Sequence, residues 1–434
     1  MRCPSLLILA LASASLLATW AQAGDLRAPF DLESTSVLPK GIRNPRFKNV
    51  MSWMDEKYSG GGAAEPLGVK LNKTVTWDEL VRNQKGDDRV TLEGLLAAGN
   101  YGSSAGRATG NVSTFAYVKA PVLAWGFTET WTSAVAVPVA SIDISASTGF
   151  VRSAEAQALL DEAYKSDPEK ARTAAAKLND PAQEKLRIRG YEPIRSMSVT
   201  HVGDISWVNK VLLRKSDVDA WGVKQTVVIP TGAAPNPDRA IDPATGDGQW
   251  DLGFAVSYDR KLRPNLKWNS TLGYTLQLGD EIVKRIPESF DESLSYDKQL
   301  VSRKLGNVTS FGTSLTYEFG ETGFSVGGGY NFQYMARASY DPAPGAPVET
   351  YDEKSGWSQS RKQIDRARYD ALEALSPEQL LHSGVISAGY SGINAYRAKR
   401  VPIPFQVNVS FSKPLRGINT SNASLTAAEL VLFF

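Results

Sequence analysis

The sequence predicts an all-β protein, a transmembrane antiparallel β-barrel. The first observation is strict period-two alternation, as in residues 250–259, where large apolar residues occupy one face and small or polar residues the other. The second is that such runs extend over about 10 to 15 residues, enough to cross a bilayer when tilted. The third is the end of the chain, where Leu430, Leu432 and Phe434 alternate. A water-soluble β-sandwich is the alternative, in which the apolar faces would form a core.

Composition narrows the class further. The 434 residues carry 48 Lys and Arg against 46 Asp and Glu, a net charge of +2 that gives no reason to expect a nucleic-acid partner. The single Cys3 lies in a predicted secretory signal, residues 1–23, with Arg2 before an apolar run and Ala-Gln-Ala at its end. Removing this signal leaves no cysteine, so disulfides, thiolate catalysis and Cys-bound metals are excluded.

The strand count is constrained by parity, because both ends of such a barrel are normally periplasmic. Eleven strands are read backward from the C-terminus, at about 421–434, 400–413, 384–395, 324–339, 306–319, 266–280, 249–261, 221–232, 196–214, 130–150 and 110–125. The strand at 384–395 is accepted largely because parity requires it. A twelfth is expected at 89–98 or at 42–54, and fourteen strands are the alternative count.

The connections alternate between short and long, as they do when one barrel end faces the periplasm. Short periplasmic turns are expected at 126–130, 216–220, 262–265 and 320–323. Long exterior loops are expected at 153–193, 231–249, 280–305, 340–383 and 414–420.

Two of the exterior loops, the helical inserts 153–193 and 340–383, contain helical patterns. Helices are predicted at 155–165, after Asp167-Pro168 and after Asp180-Pro181, where Asp can cap a helix that begins with Pro. In the later loop a helix is predicted over 364–375, and residues 376–379 have the pattern of a second helix start. Such helices could form a lid or landing surface, or simply be ordered surface loops.

The N-terminal part is predicted as a periplasmic or plug segment, residues 24–86, ahead of a barrel over 87–434. A barrel of this width has a lumen that must be filled or left wet. The alternative is a disordered leader that contains the first strand.

Several short motifs carry a family resemblance. Residues 124–130 read Ala-Trp-Gly-Phe-Thr-Glu-Thr and residues 135–138 read Val-Ala-Val-Pro. Further matches are Gly203-Asp204-Ile205 with Lys210, Ile229-Pro230-Thr231-Gly232 and residues 248–253. Together these motifs resemble the outer-membrane family labelled meta-pathway of phenol degradation. Residues 404–407 and 412–419 resemble the last two strands of long-chain fatty-acid channels of the outer membrane. This resemblance, over about 109–275 and 402–434, implies a barrel in the bacterial outer membrane for passive uptake of hydrophobic or aromatic molecules.

Catalytic and metal-binding candidates are few. The only histidines are His201 and His382. His201 is predicted on the lipid-facing parity, and no paired Ser and Asn signature accompanies it, so no enzyme is expected. Asp242, Asp247 and Asp251 miss the spacing of a calcium loop. No catalytic residue, metal or cofactor is therefore predicted.

The lumen is the expected place of function. Charged candidates for lining it fall on the inward parity of their strands: Lys210, Lys224, Asp251, Asp259, Lys267 and Glu318. Pro138 and Pro230 also fall inward and are candidates for strand distortion, because proline cannot donate a ladder hydrogen bond. The alternatives are that the charges pair to stabilise a plugged barrel and that the prolines simply end strands.

The main hypothesis is an outer-membrane channel for passive uptake of small hydrophobic or aromatic compounds. A structural or surface-interaction barrel and a general polar-solute porin are the alternatives. The expected partners are outer-membrane lipid, the barrel-assembly machinery and a small hydrophobic solute.

Overall fold

The computed structural model describes residues 34–83, 86–97, 102–177 and 179–434, so the predicted signal peptide at 1–23 lies outside the described residues. The strands in chain order are β1 (Arg43–Met54), β2 (Glu56–Tyr58), β3 (Ala64–Pro66), β4 (Lys73–Thr76), β5 (Ser104–Gly126), β6 (Trp131–Ala136), β7 (Val139–Arg152), β8 (Met197–Val202), β9 (Ile205–Lys215), β10 (Asp219–Ile229), β11 (Asp251–Arg263), β12 (Leu266–Gln277), β13 (Asp280–Arg285), β14 (Asp297–Lys304), β15 (Val308–Glu318), β16 (Phe324–Met335), β17 (Ser339–Pro342), β18 (Val348–Asp352), β19 (Gly356–Ser360), β20 (Gln379–Ser391), β21 (Phe405–Ile418) and β22 (Ser424–Leu432). The helices are α1 (Trp77–Asn83), α2 (Gly86–Ala97), α3 (Ala154–Ser166), α4 (Pro168–Lys177), α5 (Pro181–Arg187), α6 (Arg366–Ala374) and α7 (Ile393–Arg397).

The main sheet closes into a barrel of twelve antiparallel strands, which confirms the predicted fold and strand count. Two of the twelve are each interrupted and appear as the pairs β6/β7 and β8/β9. Strand β1 pairs with β22 on one side and β5 on the other, which closes the ring. The first strand is therefore the one expected at 42–54, whereas residues 89–97 of the other option lie in α2.

The two faces of the barrel wall differ as the alternation predicts. Phe254, Leu272 and Ile386 point away from the lumen and are 53%, 59% and 65% exposed. Ser257 and Thr271 point inward, and the Thr271 hydroxyl donates a hydrogen bond of 3.0 Å to the Ser257 hydroxyl. A belt of large apolar side chains on the outside of a closed barrel is the surface that lipid requires. The soluble sandwich is thereby excluded.

Both termini of the barrel lie at one end, because the Arg43 amide donates to the Phe434 carbonyl at 2.9 Å. We refer to this as the periplasmic end. The connections 127–130, 216–218, 264–265, 319–323 and 392–404 lie there, and the longer loops lie at the exterior end.

Two predictions for the exterior connections need correction. Residues 414–418 continue β21, so this connection is only the turn 419–423. Residues 376–379 start no helix, because Gln379 begins β20 and pairs with Met335. The helix-like local pattern there is overridden by the long-range pairing that a closed barrel requires.

The exterior end is covered by a folded layer that we call the exterior cap. It comprises residues 55–103 as far as described, α3 to α5, the loop 231–249, α6 and the five-stranded sheet of β13, β14, β17, β18 and β19. The helices predicted in the exterior loops form as α3 to α6; in α5 the Asp180 carboxylate accepts a 3.1 Å hydrogen bond from the Gln183 amide and Pro181 occupies the first turn. Among the described residues, no helix is both long and apolar enough to span a membrane.

The N-terminal part is divided between barrel and cap. The sequence-based boundary put the start of the barrel at residue 87, but β1 lies within the expected leader and the barrel begins at Arg43. After β1 the chain enters the cap, where Trp77 and Leu80 of α1 pack with Leu159 and Leu160 of α3 in one buried cluster. Ion pairs tie the cap together, including Lys185 to Glu292 at 2.6 Å.

Candidate functional site

The barrel wall is interrupted at one level in two neighbouring strands. Residues 137–138 separate β6 from β7, and residues 203–204 separate β8 from β9. Ala136 lies opposite Ser206 and Val139 opposite Val202, so two residues on one strand face three on the other. This is the geometry of a β-bulge, which bends a strand and weakens its local pairing. We call this interruption the wall break.

The third strand at this level, β10, ends at Ile229. The register of β9 and β10 would place Pro230 opposite Asp204, but Pro230 has no N–H to donate, and the pairing stops. Above the break, β8 pairs with β7 and with no other strand in the described part of the chain. One edge of β8 is therefore left without a sheet partner.

The wall break is closed by side chains and backbone of the loop 231–249. The Thr231 hydroxyl accepts from the Ile205 amide at 3.0 Å and donates to the Gly203 carbonyl at 2.9 Å. The Gly232 amide donates to the Asp204 carboxylate at 2.8 Å, and the Thr245 hydroxyl donates to the Val202 carbonyl at 3.1 Å. These four hydrogen bonds, together with one from the Gly203 amide to the Pro138 carbonyl at 2.8 Å, hold the wall where the regular strand pairing stops.

An apolar cluster lies on the lumen side of the break. It contains Ile142 and Ile144 of β7, Val112 of β5 and Ile241 of the loop 231–249, with Val199 of β8 packed against it. The loop thus inserts an apolar side chain into the barrel mouth directly beside the open edge of β8. A small apolar molecule held here would be adjacent to the wall break.

The opposite half of the lumen is polar and partly empty. A cavity of about 240 Å³ lies against β10, β11, β12, β15, β16 and β20. Four of its inward residues are apolar, namely Val228, Ala255, Val308 and Val385. The other inward residues are mostly small or hydrogen-bonding, and they include Lys224, Thr226, Asp251, Gly253, Asn269, Thr271, Gly273, Ser310, Gly312, Ser314, Gly327, Gly329, Asn331, Gln333 and Ser387. Glycines there leave backbone rather than side chain at the wall, so the space stays open. The lumen therefore has an apolar, filled side and a polar, open side.

The registers place all six predicted lumen charges on the inward face. Lys210 lies opposite Lys224 in adjacent strands, and Lys267 forms an ion pair with Glu318 near the periplasmic end. Asp251 is buried, and its carboxylate accepts from the side-chain Nε2 of Gln249 at 3.4 Å.

Asp259 contacts a segment that enters the lumen from the N-terminal side. Its carboxylate accepts two hydrogen bonds from Thr35, from the amide and the hydroxyl, both 2.8 Å long. The Leu38 amide donates to the Thr132 hydroxyl at 2.7 Å. Residues 35–38 thus occupy the periplasmic part of the lumen. The first residues of the predicted plug segment, 24–33, lie outside the described residues.

Two features of the lumen differ from the sequence-based predictions. His201 lies opposite Ala140, and Val199 opposite the inward Ile142, so His201 is on the inward parity rather than the lipid-facing one. The prediction was wrong because the extra residue at the wall break shifts the parity of β8. Sequence reasoning also missed Lys48 and Glu429, which lie opposite each other and are buried inside the barrel. The signal that could have found them is a charge at an inward position of β1, a strand left as one of two options.

These features define the class of the protein: an outer-membrane-type β-barrel with an exterior cap, a half-open lumen and an interrupted wall. The comparisons with known proteins agree at the level of the fold. The COG4313 outer membrane channel from Pseudomonas putida F1 is similar, with a TM-score of 0.50 and 11% identity over 94% of this chain and 100% of that one. This identity establishes a shared fold only.

Two further channels are more distant. A Pseudomonas aeruginosa FadL homologue has a TM-score of 0.33 and 9% identity over 95% of this chain and 97% of that one. The CymD monoaromatic hydrocarbon channel has a TM-score of 0.32 and 7% identity over 94% of this chain and 91% of that one. These scores are too low to support an argument. No protein-family model matches the sequence, and no curated protein matches it.

Proposed function

We propose that this protein is a channel for passive uptake of small hydrophobic or aromatic compounds across the outer membrane. The observation that carries the proposal is the wall break, which lies directly beside the apolar cluster of Ile142, Ile144 and Ile241. An apolar solute that reaches this cluster can leave sideways into lipid through the gap beside β8, and it avoids the polar bore. The driving force is the favourable transfer of apolar surface out of water, so no energy source is required.

The motifs that resemble the phenol-degradation family support a more specific class of solute. Two of the resembling motifs lie at the break: Val137-Pro138 separates β6 from β7, and Pro230-Thr231-Gly232 follows the end of β10. We propose monoaromatic compounds as the solute class on this ground.

A second candidate function is favoured by the polar cavity. Its lining of Ser, Thr, Asn and backbone suits a hydrated, hydrogen-bonding solute and not an apolar one. A polar-solute route straight through the lumen would use this side, past the ion pair of Lys267 and Glu318.

The two candidates are separated by uptake into proteoliposomes. The solutes are a monoaromatic acid, a fatty acid and a neutral sugar, and the proteins are the wild type and Ser387→Trp, which fills the polar cavity. We expect uptake of the two amphipathic solutes above that of empty liposomes in both proteins. If Ser387→Trp abolishes uptake of all solutes, the polar route is the pathway. Uptake of no solute above empty liposomes would leave a structural barrel.

We propose outer-membrane lipid and the barrel-assembly machinery as partners. The outward belt that includes Phe254 and Ile386 supports the first. The second is supported by the residues after β22, where the aromatic Phe434 is 58% exposed.

A further inference from the structure

The connection between β20 and β21 differs from every other connection that is described at the periplasmic end. It spans residues 392–404, whereas the others span two to five residues. It is also ordered by its own backbone: the Gly392 amide donates to the Phe405 carbonyl at 2.8 Å, and the Arg400 amide donates to the Ala395 carbonyl at 2.8 Å. We call residues 392–404 the periplasmic loop. Its length is not needed to join two adjacent strands.

The periplasmic loop presents three cations at one place. Arg397, Lys399 and Arg400 are all exposed, and together with Tyr396 and Pro402 they line one shallow depression. None of the three forms an ion pair with a described residue. The neighbouring turn carries Glu321, whose backbone carbonyl accepts from Asn394 while its side chain pairs with none of these cations.

The backbone of the loop is held in an unusual conformation at the centre of the cation group. Lys399 has a φ of 55°, a left-handed conformation that is uncommon for a residue with a Cβ. Such a conformation costs free energy and persists where the surrounding structure fixes it. The hydrogen bond from the Lys399 amide to the Tyr396 carbonyl, 2.8 Å long, is part of that fixing.

The position of the loop relative to the lipid is set by aromatic side chains. Phe324, Tyr390 and Phe405 form an outward chain of rings with centroid distances of 4.9 and 5.9 Å. The loop begins against these rings, because a Cβ on Gly392 would lie 2.5 Å from the Phe405 ring. Aromatic rings of a barrel lie at the level of the lipid headgroups. The cations of the loop therefore come at or just beyond the headgroups of the periplasmic leaflet.

We propose that the periplasmic loop is a binding site for the phosphate groups of anionic phospholipids in the periplasmic leaflet. Arg397, Lys399 and Arg400 contact the phosphates, and the rings of Tyr390 and Phe405 contact the glycerol and acyl region above them. Arginine forks match phosphate oxygens in pairs, and lysine adds a point charge. The site does not depend on the proposed transport function.

The test measures phospholipid retained by the purified full-length barrel by native mass spectrometry, with phosphatidylglycerol and phosphatidylcholine offered in equal amounts. The variant is the triple substitution Arg397→Gln, Lys399→Gln and Arg400→Gln. The matched control is Lys304→Gln, Lys354→Gln and Arg361→Gln, which removes three exposed cations from the exterior end. Heat-modifiable gel mobility establishes that each protein is folded.

We expect the wild type and the control to retain phosphatidylglycerol in preference to phosphatidylcholine. A basic residue near an anionic surface contributes about fivefold in affinity, so the loop variant should lose that preference on the order of tenfold or more. Equal retention in all three proteins, or an equal loss in both variants, would overturn the proposal. A second assay with isolated peptidoglycan decides between anionic partners. Sedimentation with peptidoglycan that depends on the three cations, without any preference among phospholipids, would also overturn it.

Discussion

At the residue scale, the two faces of each barrel strand impose opposite requirements on adjacent side chains. Ile386 of β20 is 65% exposed toward the surroundings of the barrel, and the next residue, Ser387, lines the polar cavity. One position must therefore be compatible with lipid and its neighbour with water. Whether a barrel position takes an apolar or a polar residue is therefore decided by the face of the strand on which it lies.

Arginine at these two positions should have different consequences. Ile386→Arg places a cation against lipid near mid-strand and should hinder assembly by roughly 2 to 4 kcal/mol. Ser387→Arg places the same cation in the lumen and should leave assembly unchanged. The measurement is the fraction of heat-modifiable, folded barrel after refolding into lipid vesicles over a urea series. If both variants fold equally well, the assignment of the outward face to lipid is wrong.

Asp247, in the loop that closes the wall break, is predicted to make this loop sensitive to pH. Burial raises the pKa of Asp247 from its ordinary value of 3.8 to about 6, against the hydrogen bond from the Gln249 amide that favours the charged form. The closed loop therefore binds this proton more tightly than the open loop. The charged Asp247 carboxylate therefore destabilises the closed loop fully above pH 6, and this destabilisation is lost as the pH falls from about 6 toward 3.8.

The amides of residues 231–249 should thus exchange hydrogen more slowly at about pH 5 than at about pH 7.5, after correction for the intrinsic rate. Asp247→Asn removes the charge, so the amides of this loop should be protected at both pH values. The free energy of opening the loop should rise on the order of 1 to 2 kcal/mol at the higher pH. Asp291→Asn, an exposed site in another exterior loop, is the control. The idea fails if Asp247→Asn keeps the pH dependence of the wild type.

At the element scale, the wall break depends on where strand pairing stops. β10 pairs with β9 through Ile229 and Ile205, and the next position holds Pro230 opposite Asp204. Hydrogen bonds of Thr231 and Gly232 replace the ladder there. The break is thus a local substitution of side-chain hydrogen bonds for strand pairing.

Replacing Pro230 should strengthen the wall and slow lateral passage. Pro230→Val supplies an N–H and a β-branched side chain, both of which favour extending β10. We expect several-fold slower uptake of apolar solutes into proteoliposomes, unchanged leakage of a neutral sugar, and equal or greater resistance to heat in detergent. The control is Pro344→Val, at an exposed position of the cap. Unchanged apolar uptake in folded Pro230→Val would remove this residue from the pathway.

At the scale of the whole molecule, the connections determine which end of the barrel meets which compartment. The cap gathers the long connections at one end, and the opposite end holds both barrel termini and the shorter turns. Arg285 joins the exterior sheet to the loop after α5, because its guanidinium lies 3.9 Å from the ring centre of Tyr191. Within the sheet it lies 4.4 Å from the ring centre of Trp357. The same side chain donates to the carbonyls of Gly190 and Ser295. The cap therefore behaves as one layer on one side of the membrane.

The orientation can be measured by cysteine labelling, since the only cysteine in the sequence is Cys3 in the predicted signal. Lys354→Cys lies in an exposed turn of the cap, and Leu262→Cys lies at the exposed end of β11 on the periplasmic side. A membrane-impermeant maleimide should label Lys354→Cys in intact cells and Leu262→Cys only after the outer membrane is permeabilised. The reverse pattern would invert the topology.

The sequence by itself determined the features that depend on residues close together in the chain. Period-two alternation located the barrel strands, since neighbouring side chains of a strand must meet lipid and lumen in turn. Asp-Pro pairs located the starts of α4 and α5, because a helix start is satisfied by the residues beside it. The inward faces of Lys267 and Glu318 followed from the same parity, and the structure adds their ion pair.

Only the tertiary structure decided the features that depend on which strands meet. It selected residues 43–54 over 89–98 as the first strand, because closure requires one partner for both β5 and β22. It aligned the interruptions at 137–138 and 203–204, which lie far apart in the chain, and it shifted His201 to the inward side through one extra residue. It also brought Thr35 to Asp259 in the lumen. Register and long-range contacts are settled by pairing across the sheet, and a local pattern in one strand does not contain its partner.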